Sequence, residues 1–253
     1  MRALTTAEVA ESSMRIVENI FFWFFRIPFF GRRIARGADR LKGRVQQAMM
    51  RAFKDEVRPR NWSNVELRKF APLYDGDVIN VSGWRDEDKT GSSYRGYFSA
   101  ARSYAVSNFV GERGIQGHPG EVALDLEGEI PDALRGRYQV VFNHTTLEHI
   151  FDIRKALANL CSLSSDTVIL VTPFIQLVHS EPGSYGDYWR PSPMALERML
   201  AESGFEVLHQ SSNDNAWYFV YVFTLASRCP ERWRGRIPFH NSAADSGTKM
   251  FST

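Results

Sequence analysis

The chain has 253 residues, enough for one or two domains and for a real hydrophobic core. Apolar residues make up 43%, which excludes a disordered protein, and its two cysteines, Cys161 and Cys229, make no disulfide framework and no metal-ligand cluster. The net charge of +2 is unevenly spread: residues 1–60 hold 13 Lys and Arg against 6 Asp and Glu, and residues 61–253 hold 18 against 23. A basic leader, 1–60, therefore precedes a mildly acidic body, an asymmetry that points the leader at an anionic surface.

In chain order, Thr5 to Glu8 fits a capping box, and apolar residues then recur at helical spacing from Val9 to Phe24. Six phenylalanines stand between Phe21 and Phe30, interrupted by Arg26 and Pro28. The run falls short of the roughly 20 apolar residues that a helix needs to cross a bilayer, and the first residues lack the apolar core of a secretory signal. A cytoplasmic protein is expected, with residues 15–53 a candidate contact for an anionic membrane surface on its inner face or for a second copy. A second amphipathic pattern runs from Leu41 to Phe53 and stops before Pro59, and Val57–Pro72 reads as a linker.

Strands are expected at Asp77–Val81, Ser103–Phe109, Glu121–Leu126, Tyr138–Asn143 and Thr167–Thr172, the last ended by Pro173. A helix is expected from about Thr146 to Leu163, with Cys161 in its apolar pattern as a small core residue. Ser192 caps a second helix with Pro193 at its first position and Gly204 at its stop. Phe205–Leu208 and Ala216–Leu225 are two closing strands with no helix between them, so they pair as a long hairpin. The pattern predicts a doubly wound, mostly parallel α/β sheet over 61–227 with an antiparallel last strand. Residues 228–253, rich in Arg, Pro and Ser, read as a strap and a loose tail.

In such a sheet a ligand binds beyond the carboxyl ends of the strands at the topological switch point. After the first strand stands Asn80-Val81-Ser82-Gly83-Trp84, whose glycine either lets a ligand approach the backbone or makes an ordinary turn. Ser107 and Asn108 follow the second strand, as ribose partners or as turn residues. Asp125 and Leu126 end the third, where the acid either accepts from an adenine amine or caps a turn. Asn143-His144-Thr145-Thr146-Leu147-Glu148-His149 after the fourth strand is the richest polar cluster in the chain. The long loop from Pro173 to Arg190 carries His179, Glu181, Tyr185, Asp187, Tyr188 and Arg190, and loops of that length are usually functional.

Tyr138–Asn143 followed by Leu147-Glu148-His149-Ile150-Phe151-Asp152 resembles the fourth-strand segment of the class I, S-adenosylmethionine-dependent methyltransferases. Thr167–Phe174 is similar to their fifth strand, and Asp187-Tyr188-Trp189-Arg190-Pro191-Ser192-Pro193 through Gly204-Phe205-Glu206-Val207 to a later stretch of one branch. The resemblance covers about Tyr138–Val207. It implies a Rossmann-like seven-stranded sheet and S-adenosylmethionine held by Asn80, Ser82, Gly83, Trp84, Asn108, Asp125, Leu126 and Asn143. In this chain the loop after the first strand has one glycine and no acid, and the ribose position holds Asn108 or Ser107.

The leading reading is a methyltransferase acting on a hydroxyl of a small molecule, sugar or lipid-linked glycan. His144, His149 and His179 are its candidate bases, since imidazole titrates near neutral pH. Glu148, Tyr185, Asp187, Tyr188 and Arg190 are its candidate acceptor contacts. The alternative is a non-catalytic scaffold subunit with the same fold. Nucleic acid is not an expected partner, because the body is acidic and lacks an Asn-Pro-Pro-Tyr-like motif.

Overall fold

The computed structural model describes residues 58–111, 114–117, 120–213 and 220–241. The basic leader up to residue 57, the start (216–219) of the expected last strand and the tail from 242 lie outside them. Among the described residues no helix is long and apolar enough to cross a membrane.

Among the described residues eight strands form one sheet in the order β3-β2-β1-β4-β5-β7-β6-β8. They are β1 (Asp77–Val81), β2 (Ser103–Asn108), β3 (Val122–Ala123), β4 (Tyr138–His144), β5 (Ser164–Ile175), β6 (Glu206–Ser212), β7 (Val220–Ser227) and β8 (His240–Asn241). β1, β2, β3, β4 and β5 are mutually parallel, while β7 runs antiparallel to both β5 and β6. The switch point is β1, where the order turns back from β2 and β3 to β4 and β5. Helices are α1 (Pro59–Phe70), α2 (Ile153–Leu163) and α3 (Pro193–Glu202). The order 3-2-1-4-5-7-6 with β7 reversed is the Rossmann-like fold of class I methyltransferases, and β8 adds an eighth strand beside β6.

The central strands are buried on both faces, so successive residues feed two different cores. Ile79, Val81, Val141, Val168 and Leu170 meet α2 and α3 through Leu157, Leu160, Leu196 and Leu200. Val78, Val140, Phe142, Ile169 and Val171 meet α1 and the C-terminal strap through Leu67, Phe70, Tyr74 and Trp233. Each such side chain contributes about 1.5–3 kcal/mol of burial.

Three expectations need correction. The expected linker at 57–72 is α1: Pro59 opens this helix, because its fixed φ suits the first turn and its missing N–H costs nothing there. The expected helix from Thr146 is a short 3₁₀ turn at Leu147–His149 followed by α2, which starts where Asp152 accepts from the Lys155 amide at 3.1 Å. β5 does not stop at Pro173 but continues to Ile175 with a shift of register against β7 between those two residues. The helix from Ser192 forms as expected, with Ser192 Oγ accepting from the Ala195 amide at 3.2 Å and Gly204 at φ 79° beyond its end. Cys161 is buried on α2, which pushes its thiol pKa up to about 12.

Candidate active site

The carboxyl end of the sheet is built around β1. The register sets Val81 beside Ser107 of β2 and Asn143 of β4, so these three side chains share a face. Asn143 Nδ2 donates to the Val81 carbonyl at 2.9 Å. Asn143 Oδ1 and Ser107 Oγ are buried without a hydrogen-bond partner among the described residues. Such groups are costly to leave unmet in a core, and each calls for an explanation.

The loop that leaves β1 is strained and tightly bonded. Ser82, Trp84 and Asp86 have φ of 57°, 48° and 58°, a left-handed region that side-chain-bearing residues seldom adopt. A Cβ at Gly83 would lie 2.6 Å from Asn80 Nδ2 and 3.1 Å from Val106 Cγ1, so glycine is needed there for space. Asn80 is buried and donates to Asp86 Oδ1 at 2.8 Å. Asn108 is a clamp on the same loop: its Oδ1 accepts from the Trp84 amide at 2.7 Å, and its Nδ2 donates to the Trp84 carbonyl at 3.1 Å and to Glu121 Oε1 at 2.6 Å. The Trp84 ring lies against Arg85 and Lys89. Asp125 is exposed and its Oδ1 accepts from the Glu127 amide at 2.8 Å, while Leu126 is a core residue.

Two acids that sequence reasoning missed organise this loop. Asp86 accepts from Asn80, from the Tyr104 hydroxyl at 2.6 Å and the Arg95 amide at 3.0 Å, and from Ser93 Oγ. Asp88 accepts from the Tyr97 hydroxyl at 2.6 Å, Thr90 Oγ1 at 2.7 Å, and the Thr90 and Ser92 amides at 2.7 and 2.9 Å. The only signal in the sequence was an acidic run, Asp86-Glu87-Asp88, inside a Gly- and Ser-rich loop.

Beyond β4 the three histidines part company. His144 sits under α1, with Nε2 3.0 Å from Ser63 Oγ and Nδ1 3.1 Å from Thr145 Oγ1. Both ring nitrogens are thus engaged, and burial, helped by the Arg60 charge, lowers its pKa well below the usual histidine range. His149 and His179 come together, ring centroids 4.9 Å apart, with Tyr185 beside His149 at 4.5 Å. His149 Nδ1 donates to the Gly186 carbonyl at 2.7 Å, which leaves Nε2 as the lone-pair nitrogen, 3.7 Å from Glu148 Oε1. Burial lowers the His149 pKa, so the ring is neutral at neutral pH. Glu148 is 1% exposed, neither carboxylate oxygen has a hydrogen-bond partner among the described residues, and burial raises its pKa to about 8.

The loop from Ile175 to Arg190 covers this cluster. The amides of Tyr188 and Trp189 donate to the Glu148 carbonyl at 2.7 and 3.3 Å, and Trp189 Nε1 donates to the Phe151 carbonyl at 3.0 Å. Asp187 and Arg190 face each other rather than outward, in a two-pronged pair at 2.5 and 2.6 Å, and Arg190 also donates to the Gln176 and Leu177 carbonyls. The Arg190 hydrogen bonds hold the Asp187 pKa down at about 2. Tyr188 is half exposed and packs edge to face on Phe151, which is itself exposed. Sequence spacing showed no metal-ligand cluster, yet the fold brings one ligand atom each from Glu148, His149 and His179 within 4.8 Å of one another.

No family model and no curated protein matches the sequence. Among solved structures, the chain is similar to magnesium protoporphyrin IX methyltransferase from Synechocystis PCC 6803 with bound S-adenosylmethionine, at 15% identity over 72% of this chain and 83% of that one, TM-score 0.46. It is similar to a putative methyltransferase from Bacillus halodurans C-125, at 12% identity over 65% of this chain and 97% of that one, TM-score 0.48. A similar structure of another activity is the [4+2]-cyclase SpnF, at 10% identity over 64% and 80%, TM-score 0.45.

Proposed function

We propose that the chain is an S-adenosylmethionine-dependent methyltransferase that methylates a hydroxyl of a small molecule, sugar or lipid-linked glycan. The observation that carries this reading is the pair of buried, unpartnered polar atoms, Ser107 Oγ and Asn143 Oδ1, flanking the end of β1 at the switch point. A polar cofactor lying over Gly83 would meet them, with Asn80, Ser82, Trp84 and Asn108 around the ribose and Asp125 and Leu126 near the adenine. Transfer to oxygen is an in-line displacement at the sulfonium methyl: the hydroxyl oxygen forms a bond to carbon as the sulfur–carbon bond breaks. The hydroxyl proton passes to a base, and the neutral Nε2 of His149 suits that step, with His179 beside it. Exposed Phe151 and Tyr188, packed edge to face, offer an acceptor an aromatic surface, and Tyr185 packs on the His149 ring, which favours a lipid-linked or ring-bearing substrate.

A second reading, a non-catalytic subunit of the same fold, is favoured by Asn108. Both hydrogens of its amide are taken by Trp84 and Glu121, so it has no donor left for a ribose oxygen. Isothermal titration with S-adenosylmethionine and S-adenosylhomocysteine separates the two. Saturable binding with a Kd in the micromolar range supports the enzyme; the absence of heat for both ligands at millimolar concentration supports the scaffold.

A further inference from the structure

We infer that Glu148, His149 and His179 form a binding site for a divalent transition-metal ion of the zinc type, closed by the loop from Ile175 to Arg190. Two imidazoles and one carboxylate are a donor set that suits Zn²⁺ and leaves a fourth position open. Their ligand atoms lie within 4.8 Å of one another, against about 3.3 Å for a tetrahedral ion with bonds of about 2.0–2.1 Å. A contraction of at most about 1.5 Å therefore completes the site.

Three independent features point to a cation. Glu148 is buried, neither carboxylate oxygen is hydrogen-bonded among the described residues, and Oε1 lies 3.7 Å from His149 Nε2. A buried carboxyl short of donors is costly in a purely structural role, and a metal ion would supply the missing partner. His149 donates its other ring nitrogen to the Gly186 carbonyl at 2.7 Å, fixing the tautomer in which Nε2 presents its lone pair. His179 Nδ1 stands 3.2 Å from Asp187 Oδ2, the carboxylate–histidine arrangement that orients metal-binding imidazoles and raises their basicity. Asp187 is itself locked by Arg190 and by the His179 amide, at 2.6 Å from Oδ2. The Asp187–Arg190 pair is on this view a positioning device for His179. The same loop docks on the Glu148 carbonyl through Tyr188 and Trp189, so all three donors belong to one connected unit.

The inference goes beyond methyl transfer and does not rest on it, because metal binding is measured without cofactor or acceptor. With an ion present the His149 lone pair would be committed to it, so metal binding and service as a free base exclude each other at this residue.

The test uses the full chain, stripped with chelator and titrated with Zn²⁺, with Co²⁺ as a spectroscopic probe. Expected are one equivalent of tightly bound Zn²⁺, a rise of Tm on adding it, and visible Co²⁺ absorption of a four- or five-coordinate site. His179→Ala, on a half-exposed loop residue, is expected to keep the fold and weaken binding at least 100-fold. Glu148→Gln is expected to be at least as stable as the parent without metal and to lose the metal-dependent rise of Tm. Asp187→Asn is expected to weaken binding about 10–100-fold. Failure of the parent chain to bind, or binding by His179→Ala and Glu148→Gln equal to that of the parent, overturns the proposal.

Discussion

Asp88 shows how one side chain can hold a loop that has no secondary structure of its own. Burial alone would raise its pKa, but hydrogen bonds from Tyr97, Thr90 and Ser92 outweigh this and bring it to about 2. Arg68 adds a charge 3.6 Å away, and the Asp88 carbonyl accepts from Asn64 Nδ2 of α1 at 3.0 Å. A folded-state pKa below the unfolded value near 3.9 stabilises the protein fully above that unfolded value. The contribution is lost as pH falls through the folded pKa, so its window lies between about pH 4 and pH 2. It amounts to about 2.5 kcal/mol. Asp88→Asn is therefore expected to unfold at lower urea at pH 7 by about that margin, and to converge on the parent near pH 2. Parallel urea curves at both pH values, with no convergence, would sink the assignment. None of this was legible from the sequence, because hydrogen bonds between an acid and nearby hydroxyls leave no periodic trace. The Glu148–His149 pair was legible as a polar cluster after a buried strand. The inward pairing of Asp187 with Arg190 was not, since the same two residues on a loop can equally face a ligand.

At the scale of elements, the C-terminal strap is held by one buried carboxylate on β5. Asp166 accepts from Ser227 Oγ at 2.6 Å, Trp233 Nε1 at 3.1 Å and Arg232 Nη1 at 3.0 Å, and its carbonyl accepts from the Arg228 amide at 2.8 Å. Trp233 then packs on the Tyr74 ring, centroids 4.7 Å apart. Asp166→Ala leaves two buried donors unmet, each worth about 1–3 kcal/mol. The expected result is a loss of about 3 kcal/mol in stability and early proteolytic nicking between Pro230 and Ile237, read by limited proteolysis. Nicking at the parental rate would show that the strap is held by Trp233 packing alone. The strap was read from composition, but β8 was not, since two paired residues carry no pattern. Elements with a local chemical signature were legible: α3 with its Ser192 cap, Pro193 and Gly204, and the parallel strands as apolar runs. α1 was not, because Pro59 reads as a stop as easily as a start, and because its inner face carries Ser63, Asn64 and Glu66 beside Leu67 and Phe70.

For the whole molecule, the unequal charge of leader and body is the feature that bears on where the protein works. We propose that residues 15–53 lie on an anionic membrane surface, with phenylalanine rings at the headgroup boundary and Arg32 to Arg44 facing lipid charge. Each such basic residue contributes about 1 kcal/mol near the surface, and salt screens exposed charges within about 8 Å at physiological ionic strength. Full-length protein is expected to float with liposomes containing anionic lipid, less so as salt rises, while a chain starting near Arg58 is expected to stay behind. Equal flotation of both chains, or of neither, removes the membrane role, and a truncated chain that aggregates or turns monomeric favours a contact between copies.

The position of β7 has a consequence for how the protein is made. It is synthesised after β5 and β6, yet it lies between them. As the nascent chain leaves the ribosome, β5 holds one bare apolar edge and β6 has no neighbour until Val220–Ser227 emerges. Any product cut short before Ser227 carries those open ladders permanently and is a template for pairing with other chains. Translation of this protein is therefore exposed to aggregation until β7 emerges, and chaperone occupancy is expected to fall only once that strand has slipped between β5 and β6.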